Sequence, residues 1–354
     1  MADALVAASR DAIARGSKSF ALASRLFDPA TRDRATLLYA WCRHADDVID
    51  GQVDGFGRVE AVGTPAERLA ALEAGTRAAL TVPGHAGAGQ HLPSGETAGL
   101  QTGTEVDAGV RQHDGVAGES GVADAPVAFA ALARVAAETA MPARYPLDLI
   151  EGFRSDVEER SFATFDDTLT YCYHVAGCVG VMMAIVMGVS PHDRATLDRA
   201  CDLGLAFQLN NIARDVVEDV ANGRCYLPED WLAAAGLDRN TFAAPPNRGA
   251  LATVVARLVD EAERYEASSR YGTPALPWRS AWAVLAAADI YGGIGRRVRS
   301  DGAGALDRRV TTSRSEKLAA VARTLPQAIS RSSRWPPPGP SRAGLWTRPC
   351  PETA

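Results

Sequence analysis

The segment Leu203–Val220, LGLAFQLNNIARDVVEDV, constrains the fold more than any other stretch of the chain. At the 100° per residue of an α-helix, Gln208, Asn211, Asp215 and Asp219 fall at i, i+3, i+7 and i+11, in one narrow stripe. Leu205, Phe207, Leu209, Ile212, Val216, Val217 and Val220 surround that stripe on nearly all sides. A helix apolar almost all round belongs inside a protein. Burying two carboxylates is costly unless something neutralises them, and carboxylates four residues apart repel each other along a helix. A divalent cation resolves both problems, whereas an ordinary solvated face leaves the apolar surroundings unexplained.

A second stripe lies in Leu37–Asp50, LLYAWCRHADDVID, where Tyr39, Arg43, Asp46 and Asp50 stand at i, i+4, i+7 and i+11. Leu38, Trp41, Cys42, Ala45, Val48 and Ile49 fall largely on other faces. Magnesium takes oxygen ligands, keeps several waters and is typically held by one or two carboxylates plus substrate phosphates. Two such stripes on facing helices could clamp a magnesium diphosphate, and Arg43 and Arg214 could take further phosphate oxygens. The chemistry would be ionisation of an allylic diphosphate. Metal and arginine would stabilise the leaving group, and an apolar wall would shield the carbocation from water. A two-metal hydrolase commonly adds histidine ligands. Here only His44 and His174 are candidates, each without a partner at ligand spacing, and they read as core residues.

The chain's 354 residues are 47% hydrophobic, enough for one large core, and the net charge of -6 gives no general pull toward nucleic acid or an anionic membrane. Lys18 and Lys317 are the only lysines, and the arginines form no cluster of the kind a nucleic-acid surface needs. No two of Cys42, Cys172, Cys178, Cys201, Cys225 and Cys350 have C-x-x-C spacing, so free thiols in a reducing cytosol are expected. Met1–Arg15 lacks the continuous apolar core of a signal peptide. Val175–Val189 is wholly apolar or glycine, but is shorter than the roughly 20 residues a spanning helix needs. It reads as a central helix packed closely on its neighbours.

Almost every segment reads as helix, since Ala, Leu, Arg and Glu dominate and alternating β-branched runs are absent. The expected helices cover 3–15, 18–26, 30–50, 65–81, 126–140, 146–159, 166–189, 193–221, 247–270, 278–300 and 313–331. Pro65, Pro126, Pro146 and Pro191 mark starts, and Asp28–Pro29 and Asn222–Gly223 mark breaks. Gly84–Ala125 is glycine-rich, lacks aromatic residues and holds His85, His91 and His113. It reads as a disordered surface insertion dispensable for chemistry. The expectation is one all-α domain over 1–335, interrupted at 84–125, and an irregular proline-rich tail over 336–354.

With both stripes in place, the chain resembles the squalene/phytoene synthase family, and within it the bacterial phytoene synthases. The resemblance runs from about Arg15 to Arg348. It rests on GSKSF (Gly16–Phe20), YAWCRHADDVID (Tyr39–Asp50), EGFRSD (Glu151–Asp156), YCYHVAGCVG (Tyr171–Gly180), AFQLNNIARDVVED (Ala206–Asp219) and RCYLP (Arg224–Pro228), with the LWTRP ending (Leu345–Pro349) also similar. It implies an all-α isoprenoid-synthase bundle around a central cavity. It also implies head-to-head condensation of two geranylgeranyl diphosphates, through prephytoene diphosphate, to phytoene in carotenoid biosynthesis. By the same resemblance Asp46, Asp50, Asp215 and Asp219 bind Mg²⁺, with Mn²⁺ as a substitute, and Gln208 and Asn211 line that site. Arg43, Arg214, Ser17, Lys18 and Arg224 would bind diphosphate. Tyr39, Tyr171 and Tyr291 would lie near the substrate, and Phe20 on the cavity wall. Gly292, Gly293 and Gly295 follow Tyr291 where relatives have helix formers, which puts its placement in question. Phe162 stands where a tyrosine is common and Asn210 where a threonine is.

Asp46-Asp47-Val48-Ile49-Asp50 formally spells the D-D-x-x-D of head-to-tail prenyltransferases, but DVVED (Asp215–Asp219) does not repeat it. A squalene or dehydrosqualene synthase acting on farnesyl diphosphate is a nearer alternative. No NADPH is expected for the phytoene reaction. A non-catalytic assembly protein on the same fold would not need all four aspartates. The resemblance further implies a cytoplasmic protein at the inner face of the membrane, in peripheral contact with lipid or with other carotenoid enzymes, and no nucleic-acid partner.

Overall fold

The computed structural model describes residues 3–16, 24–50, 52–53, 56–58, 63–81 and 120–349, with the backbone alone described at 11–16, 50, 52–53, 56–58 and 120–126. Ser17, Lys18, Phe20, the Asp50 side chain, the three histidines of the glycine-rich segment and most of the 18–26 helix lie outside the described residues.

The chain is helical nearly throughout. In order it forms α1 (Ala4–Gly16), α2 (Pro29–Asp50), α3 (Pro65–Thr81), α4 (Ser120–Thr139), α5 (Arg144–Val157), α6 (Phe165–Cys172), α7 (Cys178–Val186) and α8 (Arg194–Ala221). Then follow α9 (Glu229–Ala234), α10 (Arg248–Ser269), α11 (Trp278–Asp301), α12 (Arg314–Ile329) and α13 (Arg331–Arg334). Two short antiparallel strands, β1 (Gln52–Val53) and β2 (Phe56–Arg58), follow α2. The pairing is too brief to leave an alternating pattern in sequence.

α8 is the central element. Its start is fixed by Asp193, whose carboxylate accepts from the Thr196 N–H. Leu197, Leu205, Leu209 and Ile212 are buried, and α8 packs against α7, α10 and α11. Gly223, in the left-handed region at φ +78°, turns the chain after α8. The Arg224 N–H then donates back to the Asp219 carbonyl at 2.8 Å, so Arg224 returns to the end of the carboxylate stripe.

Two sequence boundaries move. α4 begins at Ser120, so the last six residues of the segment expected to be irregular are helical, and Pro126 lies inside a helix instead of at its start. A proline weakens the hydrogen-bond ladder, but the alanines around it favour helix strongly enough to carry it through. The apolar run after Tyr171 is continuous with α6 through a π-helical turn at Tyr173–Gly177. Phe165–Val186 is therefore a 22-residue helix, long and apolar enough to cross a membrane by that test alone, with 61% of its apolar window buried inside the protein. Its close crossing with α8 explains the glycines. A Cβ on Gly204 would lie 2.3 Å from the Ala176 carbonyl oxygen, and one on Gly180 2.4 Å from that of Ala200.

Segment 336–349 contains no helix, yet it is tied to the core. Arg342 pairs with the fully buried Asp202 at 2.6 Å, and Arg348 pairs with Asp198 at 2.6 Å.

Candidate active site

The two stripes face one cavity of about 700 Å³. α8 forms one wall along most of its length, from Thr196 and Arg199 at one end to Asp215 and Asp219 at the other, a rise of about 35 Å. Tyr39, Arg43 and Asp46 come from α2, and Val175, Ala176 and Met183 from the π-helical turn and α7. The middle of the cavity is apolar, and its carboxylates and most of its cations gather at one end.

At that polar end, Arg43 lies 3.3 Å from Asp46 and donates to Asp47 at 2.7 Å. Arg214 donates from Nε to Asp215 at 2.8 Å, and Arg309 approaches the same carboxylate from the loop before α12, 3.0 Å from Oδ1. Asn211 Nδ2 points to Gln208 Oε1 at 3.5 Å, the outer limit for a hydrogen bond, continuing the α8 stripe. Burial, reinforced by the charge of Asp215, pushes the Asp219 carboxyl up to about 7, although Arg224 and Arg214 oppose it. A carboxyl in that state gains from a cation beside it. Among the described residues no three Asp, Glu, His or Cys side chains converge closely enough to hold a metal by themselves. The donor set is all oxygen, spread over two helices, and cationic arginines flank it. That fits a hard divalent ion whose remaining ligands are water and diphosphate.

On the same cavity, Asp156 of α5 accepts from the Tyr226 hydroxyl at 2.9 Å and from the Tyr171 hydroxyl at 3.2 Å. The two tyrosine rings stack at 4.7 Å, and Phe162 leans on both. Burial, with the charge of Asp156, pushes both phenols upward, so both remain protonated donors at neutral pH. Tyr291 also lines the cavity, its ring stacked on Phe207 at 4.4 Å. The glycines after it do not break α11. A Cβ on Gly292 would meet Glu266 Oε2 at 2.0 Å and one on Gly295 would meet Asn210 Oδ1 at 1.8 Å, so each makes room for a buried polar side chain.

The structure thus brings together Tyr39, Arg43, Asp46, Tyr171, Gln208, Asn211, Asp215, Asp219, Arg224 and Tyr291 on one cavity, with Arg214 held against Asp215. His44 sits edge-on to Phe129 and His174 beside Tyr173, and neither lines the cavity. Sequence reasoning assigned no role to Asp156, Tyr226 or Arg309. Asp156 and Tyr226 lie within the EGFRSD and RCYLP blocks, which was the available signal. Arg309 had none, because it reaches Asp215 across 94 residues.

The squalene/phytoene synthase family model matches residues 13–316. The chain is 46% identical over 340 residues to a 15-cis-phytoene synthase of Pantoea ananas, covering 96% of each. It is 47% identical over 347 residues to a 15-cis-phytoene synthase of a Paracoccus species, covering 98% of each. A ligand-bound dehydrosqualene synthase superposes with a TM-score of 0.70 at 25% identity, over 92% of this chain and 97% of the other. A squalene synthase of Alicyclobacillus acidocaldarius shares the fold, with a TM-score of 0.64 at 22% identity, over 84% of this chain and 94% of the other.

Proposed function

The chain belongs to the squalene/phytoene synthase family, and from that premise we infer that it is a phytoene synthase, joining two geranylgeranyl diphosphates head to head to phytoene. It is a prenyltransferase acting on prenyl diphosphates. The observation that carries the reading is the meeting of both carboxylate stripes at one end of an otherwise apolar cavity. The identity of the product rests on the near full-length likeness to curated phytoene synthases.

Enzymes of this family are generally dependent on a divalent metal, and Asp46, Asp215 and Asp219, with Asp50 by sequence, would hold Mg²⁺ here. When bound, the ion supplies neutralisation of the departing diphosphate. Arg43 and Arg224 donate charge-assisted hydrogen bonds to diphosphate oxygens. Val175, Val179, Met183 and Phe207 line the cavity and keep water from the prenyl chains. Tyr171 and Tyr226 present neutral ring faces where a carbocation develops, which favours the cation electrostatically. Asp156 fixes those rings by accepting both hydroxyl protons. The described cysteines are free thiols, which supports a cytoplasmic location.

The test is to incubate the purified chain with Mg²⁺ and either farnesyl or geranylgeranyl diphosphate, with and without NADPH, and to identify the hydrocarbon. Phytoene from geranylgeranyl diphosphate, independent of NADPH, is expected. Squalene or dehydrosqualene as the preferred product would overturn the reading.

A further inference from the structure

Away from the carboxylates, the cavity ends where two stretches of backbone touch. After α10 the chain makes a 3₁₀ turn at Arg270–Ala275, and Gly272 in that turn presses on the first turns of α8. A Cβ on Gly272 would lie 2.9 Å from the Arg199 Cβ, 3.6 Å from the Thr196 carbonyl oxygen and 3.7 Å from the Arg199 Cγ. Thr196, Arg199, Gly272 and Thr273 all line the cavity. The aliphatic stem of Arg199, wedged against Gly272, therefore closes it at this end.

That stem is held from behind. The Arg199 guanidinium donates to the Ser268 hydroxyl and to the Pro340 carbonyl, at 2.5 Å each, and lies over the Tyr271 ring at 5.7 Å. Ser268 in turn donates to Asp202, which Arg342 of the tail neutralises. Arg199 is buried, and swinging it out of the way would break charge-assisted hydrogen bonds in the interior. The floor of the cavity is thus a fixed side chain with an apolar upper surface.

The depth of this floor matches the chemistry at the other end. Asp215 lies 16 residues beyond Arg199, a rise of about 24 Å. An extended isoprene unit is about as long as one helical turn, roughly 5 Å. With a diphosphate at Asp215 taking up about one turn, three units reach the level of Leu203, and a fourth reaches Arg199.

The walls leave room for that fourth unit. α11 runs beside α8 in the same direction, with Tyr291 stacked on Phe207 and Gly295 against Asn210. One and two turns back along both helices, Ala287 and Ala283 are level with Leu203 and Ala200. From α7, Gly180 packs so closely that a Cβ would lie 2.4 Å from the Ala200 carbonyl oxygen. Ala200, Gly180, Ala283 and Ala287 all line the cavity, so the space directly above the floor is bounded by small residues.

We propose that Arg199 is the chain-length stop for one prenyl chain, its stem ending the cavity, and that Ala200 leaves the space into which the fourth isoprene unit fits. That this chain is geranylgeranyl rests on the phytoene synthase reading, whereas the stop itself does not.

The test is binding of unreactive analogues to the full chain with Mg²⁺, followed by calorimetry. The analogues are farnesyl, geranylgeranyl and geranylfarnesyl thiolodiphosphates, in which sulfur replaces the bridging oxygen. The wild type should bind the geranylfarnesyl analogue at least about tenfold more weakly than the geranylgeranyl one, because an overlong chain meets the floor. Arg199→Ala should bring the two within about threefold, since the stem's methylenes no longer exclude the extra unit. Arg199→Met keeps an unbranched stem without the charge and should keep the discrimination. Ala200→Leu leaves the anchor of Arg199 intact and fills the space above it. It should weaken the geranylgeranyl analogue about tenfold and leave the farnesyl analogue unchanged. With both natural diphosphates in competition, it should move the product toward the farnesyl-derived hydrocarbon. Circular dichroism checks that each variant is folded. Equal binding of all three lengths by the wild type, continued rejection of the longest chain by folded Arg199→Ala, or equal weakening of both shorter chains by Ala200→Leu would each overturn the proposal. Loss of discrimination in Arg199→Met would also overturn it, by assigning the effect to the charge and not to the stem. A wild type that prefers the farnesyl analogue, with Arg199→Ala still lengthening the accepted chain, would count against the phytoene reading alone.

Discussion

Arg309 and Asp215 are joined by one charge-assisted hydrogen bond, Nη2 to Oδ2 at 3.1 Å, and by an ion pair that brings Nε within 3.0 Å of Oδ1. Arg214 grips the same carboxylate with a second fork. A carboxylate offers about four lone-pair positions, and these three hydrogen bonds with the extra ion-paired nitrogen crowd them, so a metal ion at Asp215 competes with the guanidiniums. Arg309 is half exposed on a loop, whereas Arg214 is mostly buried on α8 itself. Arg309→Gln should therefore tighten Mg²⁺ binding in the absence of substrate, by up to about fivefold, the worth of an exposed ion pair. Calorimetric titration with the metal alone reads this directly. Unchanged or weaker binding would show that Arg309 does not compete with the ion.

Asp215→Asn and Asp219→Asn should each lower Mg²⁺-dependent turnover by about a hundredfold or more, the scale on which a group stabilising developing charge acts. Neither should unfold the protein. Asp219 is a partly buried carboxyl already pushed up to about 7 by its surroundings, so a neutral amide removes a cost and the melting temperature should hold or rise. A folded Asp219→Asn protein with full activity would remove that residue from the site.

Gly295→Ala should destabilise the protein although alanine is the better helix former. The new methyl would lie 1.8 Å from Asn210 Oδ1, an oxygen that is buried and makes no hydrogen bond. Overpacking of this kind costs about 1–3 kcal/mol, more than the roughly 1 kcal/mol that helix propensity returns. Adding Asn210→Ala should recover most of the loss, measured by urea unfolding. An additive double variant would break the link between the two positions.

Both stripes were legible because a 3.6-residue period is a local property, and the cavity wall of α8 follows the same arithmetic from Thr196 to Asp219. What escaped was tertiary. Arg309 sits in a loop without period, and only folding brings it to Asp215. Asp156 and Tyr226 are 70 residues apart, and each alone looks like an ordinary core polar residue. The π-helical turn has no compositional mark beyond glycines that equally suit a close helix crossing. Gly292 and Gly295 argued against a stable helix around Tyr291 because propensity takes no account of Glu266 and Asn210, which fill the space they leave.

The capping box of α12 predicts a pH dependence. Glu316 accepts from the Ser313 backbone N–H at 2.7 Å and from its hydroxyl. These bonds, with Arg297, lower its pKa to about 2 from an ordinary 4.5. A carboxyl with a depressed folded pKa contributes stability that is complete above its unfolded value and is lost as pH falls through the folded one. Glu316→Gln should therefore melt below the wild type at pH 7. The difference should shrink between pH 4.5 and about 2 and vanish beneath that. A gap independent of pH would assign the effect to packing.

The tail's docking predicts the largest stability effect. Asp202 is fully buried on α8 and receives Arg342 through Nε at 3.0 Å and Nη2 at 2.6 Å. Burial raises the Asp202 pKa and Arg342 opposes that. The tail's arginines have no period in sequence, so only the fold reveals that two of them enter the core. Arg342→Ala would strand a buried carboxylate, at a cost of about 3–5 kcal/mol. Asp202→Asn in the same chain should restore part of it, because the amide needs no counter-charge. Asp202 lies 13 residues before Asp215, about 20 Å along α8, so turnover per folded molecule should survive in both variants. Urea unfolding with parallel assays separates the two quantities. If Arg342→Ala kept its stability but lost turnover, the tail would belong to the reaction and not to the scaffold that holds α8.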